Sequence, residues 1–277
     1  VVGSRLRVPE TLTHTLQLPR RLIQIDTDPL AEQRAYPTAL FVRGDARLTL
    51  ARLADRLAGR MRADAGLADE AARARQRAQA TMRGAIAPYD RIADALQAVC
   101  GRDFGWVRDV TISNSTWGNR LMQVFAPGQG IHAVGGGIGQ GLAMAIGAAT
   151  GRPDRKTWLL AGDGGFMLNL GELATAVQER TGIVMLVMND GGYGILRNLQ
   201  DADYGGRRYY CDLHGFELGA LAQSVGMDYI AVRDLDGLER VLRDAAGRDA
   251  PAVLVEFDMR AIGPFAKPFA GPPLARG

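Results

Sequence analysis

Apolar residues along this chain recur in two rhythms. Short, nearly unbroken runs at 106–112, 157–161, 183–188, 229–232 and 252–257 have the length of strands buried on both faces. Between them, residues 89–100, 170–180, 217–225 and 235–246 place apolar positions at helical spacing, and a glycine-rich turn opens a further helix that runs through Ala149. Strands alternating with helices predict right-handed crossovers and a parallel sheet covered on both faces, an α/β fold. The earlier part of the chain is less regular. Val1-Val2-Gly3-Ser4-Arg5 reads as the end of a buried strand that begins outside the sequence, and residues 22–26 as a strand stopped by Thr27-Asp28-Pro29. Residues 46–59, with Leu48, Leu50, Leu53 and Leu57, have helical spacing. Residues 60–84 are rich in Ala, Arg, Asp and Glu, and read either as a solvated linker helix or as a surface helix of one continuous domain. The expected organisation is the tail of one α/β domain over 1–59, a linker or helix over 60–87, and a second α/β domain over 88–277.

Composition narrows the class. A chain of 277 residues, 47% hydrophobic and 23% charged, has the make-up of a globular protein with a substantial core. The net charge of +3 and pI of 9.1 come from dispersed arginines, since lysine occurs only at Lys156 and Lys267. No basic block interleaved with aromatics marks a nucleic-acid track. Cys100 and Cys211 have no metal-ligand spacing, which leads us to expect a reducing cytoplasm. No signal peptide opens the sequence, and the longest apolar stretch, 134–150, is glycine-rich, contains Gln140 and is too short for a bilayer; no membrane association is expected.

The candidate chemistry sits where two apolar runs end. The run 157–161 leads into Gly162-Asp163-Gly164, and the run 183–188 into Asn189-Asp190-Gly191-Gly192. Two such strands bring their carboxylates together at the carboxyl edge of a parallel sheet, where α/β folds hold ligands. Asp163, Asp190 and the backbone carbonyl of Gly192, with two diphosphate oxygens and a water, would complete the octahedron of a Mg²⁺ ion. Singly, each aspartate could equally begin a turn or cap a helix. The pair, each after an apolar strand, points to a metal–diphosphate site. A dinucleotide reading fails, because neither 135–141 nor 162–165 satisfies G-x-G-x-x-G in any register. His132 and Leu196 are candidates for a substrate pocket, His132 being as readily a structural residue; His14 and His214 receive no role. Residues 265–273, with Lys267 among prolines and phenylalanines, read as a flap over the site or as an ordinary tail.

From about Val110 onward the sequence resembles the diphosphate-binding domain of the thiamine diphosphate-dependent 2-oxo acid enzymes, a group that includes acetolactate synthases, benzoylformate decarboxylases and pyruvate oxidases. The motif Gly162-Asp163-Gly164 to Asn189-Asp190 carries this, with the stretch Gly135-Gly136-Gly137-Ile138-Gly139-Gln140-Gly141 before it. Residues 1–58 are similar to the tail of the family's middle domain, including 24–29 and Arg43-Gly44-Asp45. The resemblance implies that Asp163, Asp190 and Gly192 hold Mg²⁺. Backbone at Gly162, Gly164, Gly165, Tyr193, Gly194 and Ile195 would meet the diphosphate, with hydroxyls from Ser115 and Thr116. Ile138, stiff at χ1, would wedge the cofactor into a bent shape, and the Gly136 carbonyl would accept from its amino group. The reaction implied is decarboxylation of a 2-oxo acid, alone or followed by carboligation, in a homodimer or homotetramer. The activating glutamate would come from an N-terminal pyrimidine-binding domain outside this sequence, so no catalytic acid or base is assigned. FAD in the middle domain is left open.

Three positions depart from the family pattern. Asp190 stands where Asn is more common, adding negative charge that faces an anionic diphosphate; binding is expected to depend more strongly on the divalent cation. Gly165 replaces a frequent hydroxyl, and Leu199 stands where acetolactate synthases carry tryptophan. The alternative readings are a non-catalytic module for thiamine diphosphate or a nucleotide-like diphosphate, and a flavin- or nicotinamide-dependent oxidoreductase.

Overall fold

A computed structural model of the chain describes residues 1–6, 11, 15–62 and 64–271. His14, Pro272 and Pro273 lie outside the described residues. The chain divides into two compact units, one over Val1–Ala72 and one over Arg73–Gly271.

In the first unit, β1 (Ile23–Asp26) pairs in parallel with β2 (Leu40–Arg43), and α1 (Ala46–Leu57) follows. Asp45 caps α1 by accepting from the Leu48 N–H at 2.9 Å. The N-terminal segment is not the buried strand expected from its apolar residues. Val2 is 39% exposed and makes a single bridge to Ile25, because two valines followed by Gly-Ser-Arg give too short an apolar run to cover. Leu48, Leu50 and Leu53 are exposed.

The boundary between the units falls inside α2 (Leu67–Ile86), whose charged residues are almost all exposed. The second unit continues with α3 (Asp90–Cys100), β3 (Gly105–Arg108), β4 (Gly130–His132), α4 (Gly141–Gly151), β5 (Thr157–Gly162), α5 (Asp163–Phe166), α6 (Glu172–Gln178), β6 (Ile183–Asn189), α7 (Gly194–Asp203), α8 (Leu218–Val225), β7 (Asp228–Val232), α9 (Leu238–Gly247), β8 (Ala252–Asp258) and α10 (Met259–Ile262). Its six strands lie in the order β4-β3-β5-β6-β8-β7, and every pair is parallel. The apolar runs are continuous because each strand is covered twice. In β6, Val184, Leu186 and Met188 face one core with Trp106, Trp158, Ile92, Leu96 and Leu242, whereas Ile183, Met185 and Val187 face the other with Leu142, Leu173 and Ala222.

The expected strand 106–112 stops early. Asp109 makes one more ladder bond, donating its N–H to Leu160 O at 2.8 Å, and its carboxylate then accepts from the Val110 N–H, which turns the chain out of the sheet. A wide helical turn over Asn114–Gly118 follows, fixed by the buried Trp106 indole N–H donating to Gly118 O at 2.9 Å. Among the described residues, β2, β4, α5, α7 and α10 had no clear sequence signal. Each is short or lacks a continuous apolar face. After β3 the chain first goes to β4 on one side and then crosses to β5 on the other, so the sheet reverses its direction of growth at β3–β5. The crevice at such a reversal is where open α/β sheets bind ligands.

Candidate functional site

A cleft opens at this reversal, beyond the carboxyl ends of β3, β5 and β6. β5 ends at Gly162, and Asp163 begins the single turn of α5; β6 ends at Asn189, and the chain reaches α7 through Asp190-Gly191-Gly192-Tyr193. Asp163 is 5% exposed. Burial, and next the charge of Asp190, lift its carboxyl from 3.8 to about 6. Asp190 is raised as well by burial, with Arg197 pulling the other way. Asp190 Oδ1 is fully buried and makes no hydrogen bond, although Arg197 Nη2 stands 3.0 Å from it as an ion pair.

The turn after β6 is built around glycine. Tyr193 N–H donates to Cys211 O at 2.7 Å and Leu213 N–H to Gly191 O at 3.1 Å, an antiparallel bridge centred on Gly192 and Asp212. In that pattern the peptide groups of Gly192 itself point away from the 211–213 strand. A side chain at Gly192 would run into the Cys211 carbonyl, and one at Gly194 into the Asp190 carboxylate. Asn189, one residue earlier, turns from the cleft. Its amide donates to Glu256 at 2.6 Å, its oxygen accepts from the Gly191 N–H at 3.1 Å, and Tyr229 bonds the other oxygen of Glu256.

The opposite wall is the glycine-rich loop before α4. The buried carboxylate of Asp109 accepts from the Gly139 N–H at 2.8 Å, and the Asn169 side-chain amide donates to the Gly139 carbonyl. The two peptide groups that flank the Gly139 Cα are thus each held, immediately after Ile138, which is partly exposed and lines the cleft.

The structure brings Ser115, Ile138, Gly162, Asp163, Gly164, Gly165, Asp190, Gly192, Tyr193, Gly194 and Ile195 together in the lining of this cleft. It does not bring Thr116, Gly136, His132 or Leu196 there. Thr116 is fully buried and its hydroxyl donates to Ile112 O at 2.8 Å. Gly136 lies exposed in the turn before Ile138. His132 is exposed at the end of β4, with Nδ1 3.2 Å from Arg108 O. Leu196 is 42% exposed on α7, and Leu199 lines a separate surface groove with Tyr204 and Tyr209. Sequence reading missed Thr111, Ser113, Met188 and Met259 in the lining, and Asp109, Asn169 and Arg197 behind it. An aspartate interrupting the apolar run 106–112 was a usable signal for Asp109; Thr111 and Met188 lie in predicted strand runs that gave no hint of a lining role, and the rest lie outside those runs. Residues 265–271 are fastened, not free. Lys267 N–H donates to Ala85 O at 2.8 Å, the Phe265 ring packs edge-on against Tyr89, and Asn198 donates to Phe269 O at 3.0 Å.

These residues fit a hard divalent cation. Asp163 is buried and Asp190 half-buried, the charge of Asp190 raises the Asp163 carboxyl, and the peptide groups of Gly192 point away from the 211–213 strand. Among the described residues no group of three His, Cys, Asp or Glu side chains could hold a metal, so the remaining ligands would be backbone, water and an anionic group. The first-turn N–H groups of α7, at Gly194 and Ile195, have no intrahelical acceptors and favour an anion there. No helix among the described residues is long and apolar enough to cross a membrane.

Comparison with known proteins gives the family of the chain. The family model of the thiamine pyrophosphate enzyme C-terminal TPP binding domain matches residues 111–256. The chain is 33% identical to the probable 2-ketoarginine decarboxylase of Pseudomonas aeruginosa over 267 residues, covering 91% of this chain and 45% of that protein. It is 32% identical to the catabolic acetolactate synthase of Raoultella terrigena, covering 84% and 43%. It is 30% identical to the benzoylformate decarboxylase of Pseudomonas aeruginosa, covering 88% and 44%. The chain spans about half the length of the curated relatives it matches. Its fold is that of the thiamine diphosphate-dependent 4-hydroxybenzoylformate decarboxylase of Rhodococcus jostii, with a TM-score of 0.66 at 24% identity over 86% of this chain and 44% of that one.

Proposed function

The chain belongs to the thiamine pyrophosphate enzymes, and from that premise we propose that it forms the Mg²⁺- and diphosphate-binding half of a site that decarboxylates a 2-oxo acid, with or without subsequent carboligation. The observation that carries this reading is the pair of carboxylates, buried Asp163 and half-buried Asp190, in the lining of a cleft that Ile138 also lines. When bound, thiamine diphosphate supplies the nucleophilic carbon and the electron sink that decarboxylation needs. The protein's part is to hold and orient it. Asp163, Asp190 and the Gly192 carbonyl would take the metal. The N–H groups that open α7, with the backbone at Gly164 and Gly165, would face the diphosphate, and Ser115 and the newly placed Ser113 would lie along its path. Ile138, held by the grip on Gly139, would press between the two rings.

The activating glutamate and the pyrimidine pocket are proposed to come from the N-terminal domain of a second copy of the same protein, in a homodimer or homotetramer of the cytoplasm. Calorimetric titration of the chain with thiamine diphosphate tests the site directly. Heat of binding should require Mg²⁺ and vanish with EDTA. Asp163→Ala should abolish the Mg²⁺-dependent heat while leaving the far-ultraviolet circular dichroism unchanged; undiminished binding by this variant would refute the ligand assignment.

A further inference from the structure

Asp190 poses an electrostatic problem that Arg197 answers. Two carboxylates facing one another beneath an anionic diphosphate are more negative than one divalent cation comfortably offsets. Arg197 sits on α7, one turn after the Gly194–Ile195 peptides that line the cleft. Its Nη2 donates to the Asp190 backbone carbonyl at 2.9 Å and stands 3.0 Å from Asp190 Oδ1. Its Nη1 reaches Asp212 Oδ1 at 3.1 Å. The side chains of Arg197 and Asp190 are only 20% and 22% exposed, whereas Asp212 is 81% exposed, so solvent weakens the second ion pair far more than the first. The grip is directional. One guanidinium nitrogen hydrogen-bonds the backbone carbonyl of Asp190 and ion-pairs with its side-chain Oδ1, while Oδ2 lies against Gly194, a residue that has no Cβ. A planar fork can do this; a lysine ammonium cannot span the same set.

Resting on the function proposed above, we propose that Arg197 is a positioning residue and the built-in counter-charge of the metal site: it fixes the Asp190 carboxylate and cancels its charge toward the diphosphate. The rival role is a staple joining α7 to the loop at Asp212, which would matter for folding alone.

A double-mutant cycle on the 277-residue chain separates the two, with the apparent Kd of thiamine diphosphate at fixed Mg²⁺ as the readout and thermal denaturation as the check on folding. Arg197→Met should weaken binding about tenfold or more, because it leaves only the lesser charge effect of Arg260 to offset the Asp190 carboxylate that faces the diphosphate. Asp190→Asn in that background should restore the affinity to within about threefold of the parent, since the charge that needed an offset is gone. Arg197→Lys, which keeps the charge and loses the fork, should fall between and guards against a folding defect in the methionine variant. Wild-type affinity in Arg197→Met, or a double variant as weak as Arg197→Met, would overturn the counter-charge role. If the parent chain binds in a Mg²⁺-dependent way and Asp163→Ala abolishes it, such a result removes only this role. If the parent shows no Mg²⁺-dependent binding, the underlying reading of the site fails and takes the proposal with it.

Discussion

Asp163 shows how much a single residue's chemistry depends on what surrounds it. Read from the sequence it is an aspartate between two glycines; folded, it is a buried carboxyl whose ordinary value of 3.8 is lifted to about 6. The sign of the consequence follows from linkage. The folded, metal-free chain binds a proton at pH 4–6 that the unfolded chain has released, so the contribution of Asp163 to stability is fully present below about pH 4. It is lost as pH rises through about 6, on the order of 2–3 kcal/mol. Urea denaturation of the metal-free chain should therefore give a pH-dependent difference between the parent and Asp163→Asn that grows over this window and is flat outside it. Divalent cation with diphosphate should oppose the trend, since both favour the ionised form. Position 190 was visible in the sequence as the departure from the usual Asn, and its charge could be named. Its partner could not, because Arg197 is one of many dispersed arginines until α7 folds.

Among the elements, those with long apolar runs were legible and those made by turns were not. β5, β6 and β8 stand where the runs predicted them, since a strand covered on both faces is the way to bury these consecutive apolar residues, four in β5 and β8 and six in β6. The glycine-rich segment before α4 was recognisable as a loop, but its conformation comes from residues distant in sequence. Asp109, at the end of β3, and Asn169, after α5, meet on Gly139, one at its N–H and the other at its carbonyl. Asp109→Ala should leave the Gly139 and Val110 N–H groups without their acceptor, at a cost of about 1–3 kcal/mol in urea unfolding. It should also weaken cofactor binding, because Ile138 is no longer held. Asn169→Ala, with its partner a carbonyl, should destabilise less while still lowering the affinity. Equal binding by both variants would show that the loop is rigid without the grip.

The whole molecule sets what the site can do. The two carboxylates, the α7 N-terminus and Ile138 all lie in the unit Arg73–Gly271, and among the described residues none of the side chains lining the cleft is a glutamate. The chain by itself should bind thiamine diphosphate weakly with Mg²⁺ and release no measurable CO₂ from pyruvate or benzoylformate; turnover at ordinary enzyme rates would mean that an acid of this chain serves the reaction after all. The sequence by itself determined the parallel α/β sheet, through the rhythm of its apolar runs, and the place of Asp163 and Asp190, because a carboxylate directly after a buried strand emerges at the sheet's carboxyl edge. Which groups stand behind those carboxylates was decided by the tertiary structure alone. The pairing of Arg197 with Asp190 and the hold on Gly139 by Asp109 and Asn169 are contacts that no local periodicity encodes, and they exist only once the chain has folded.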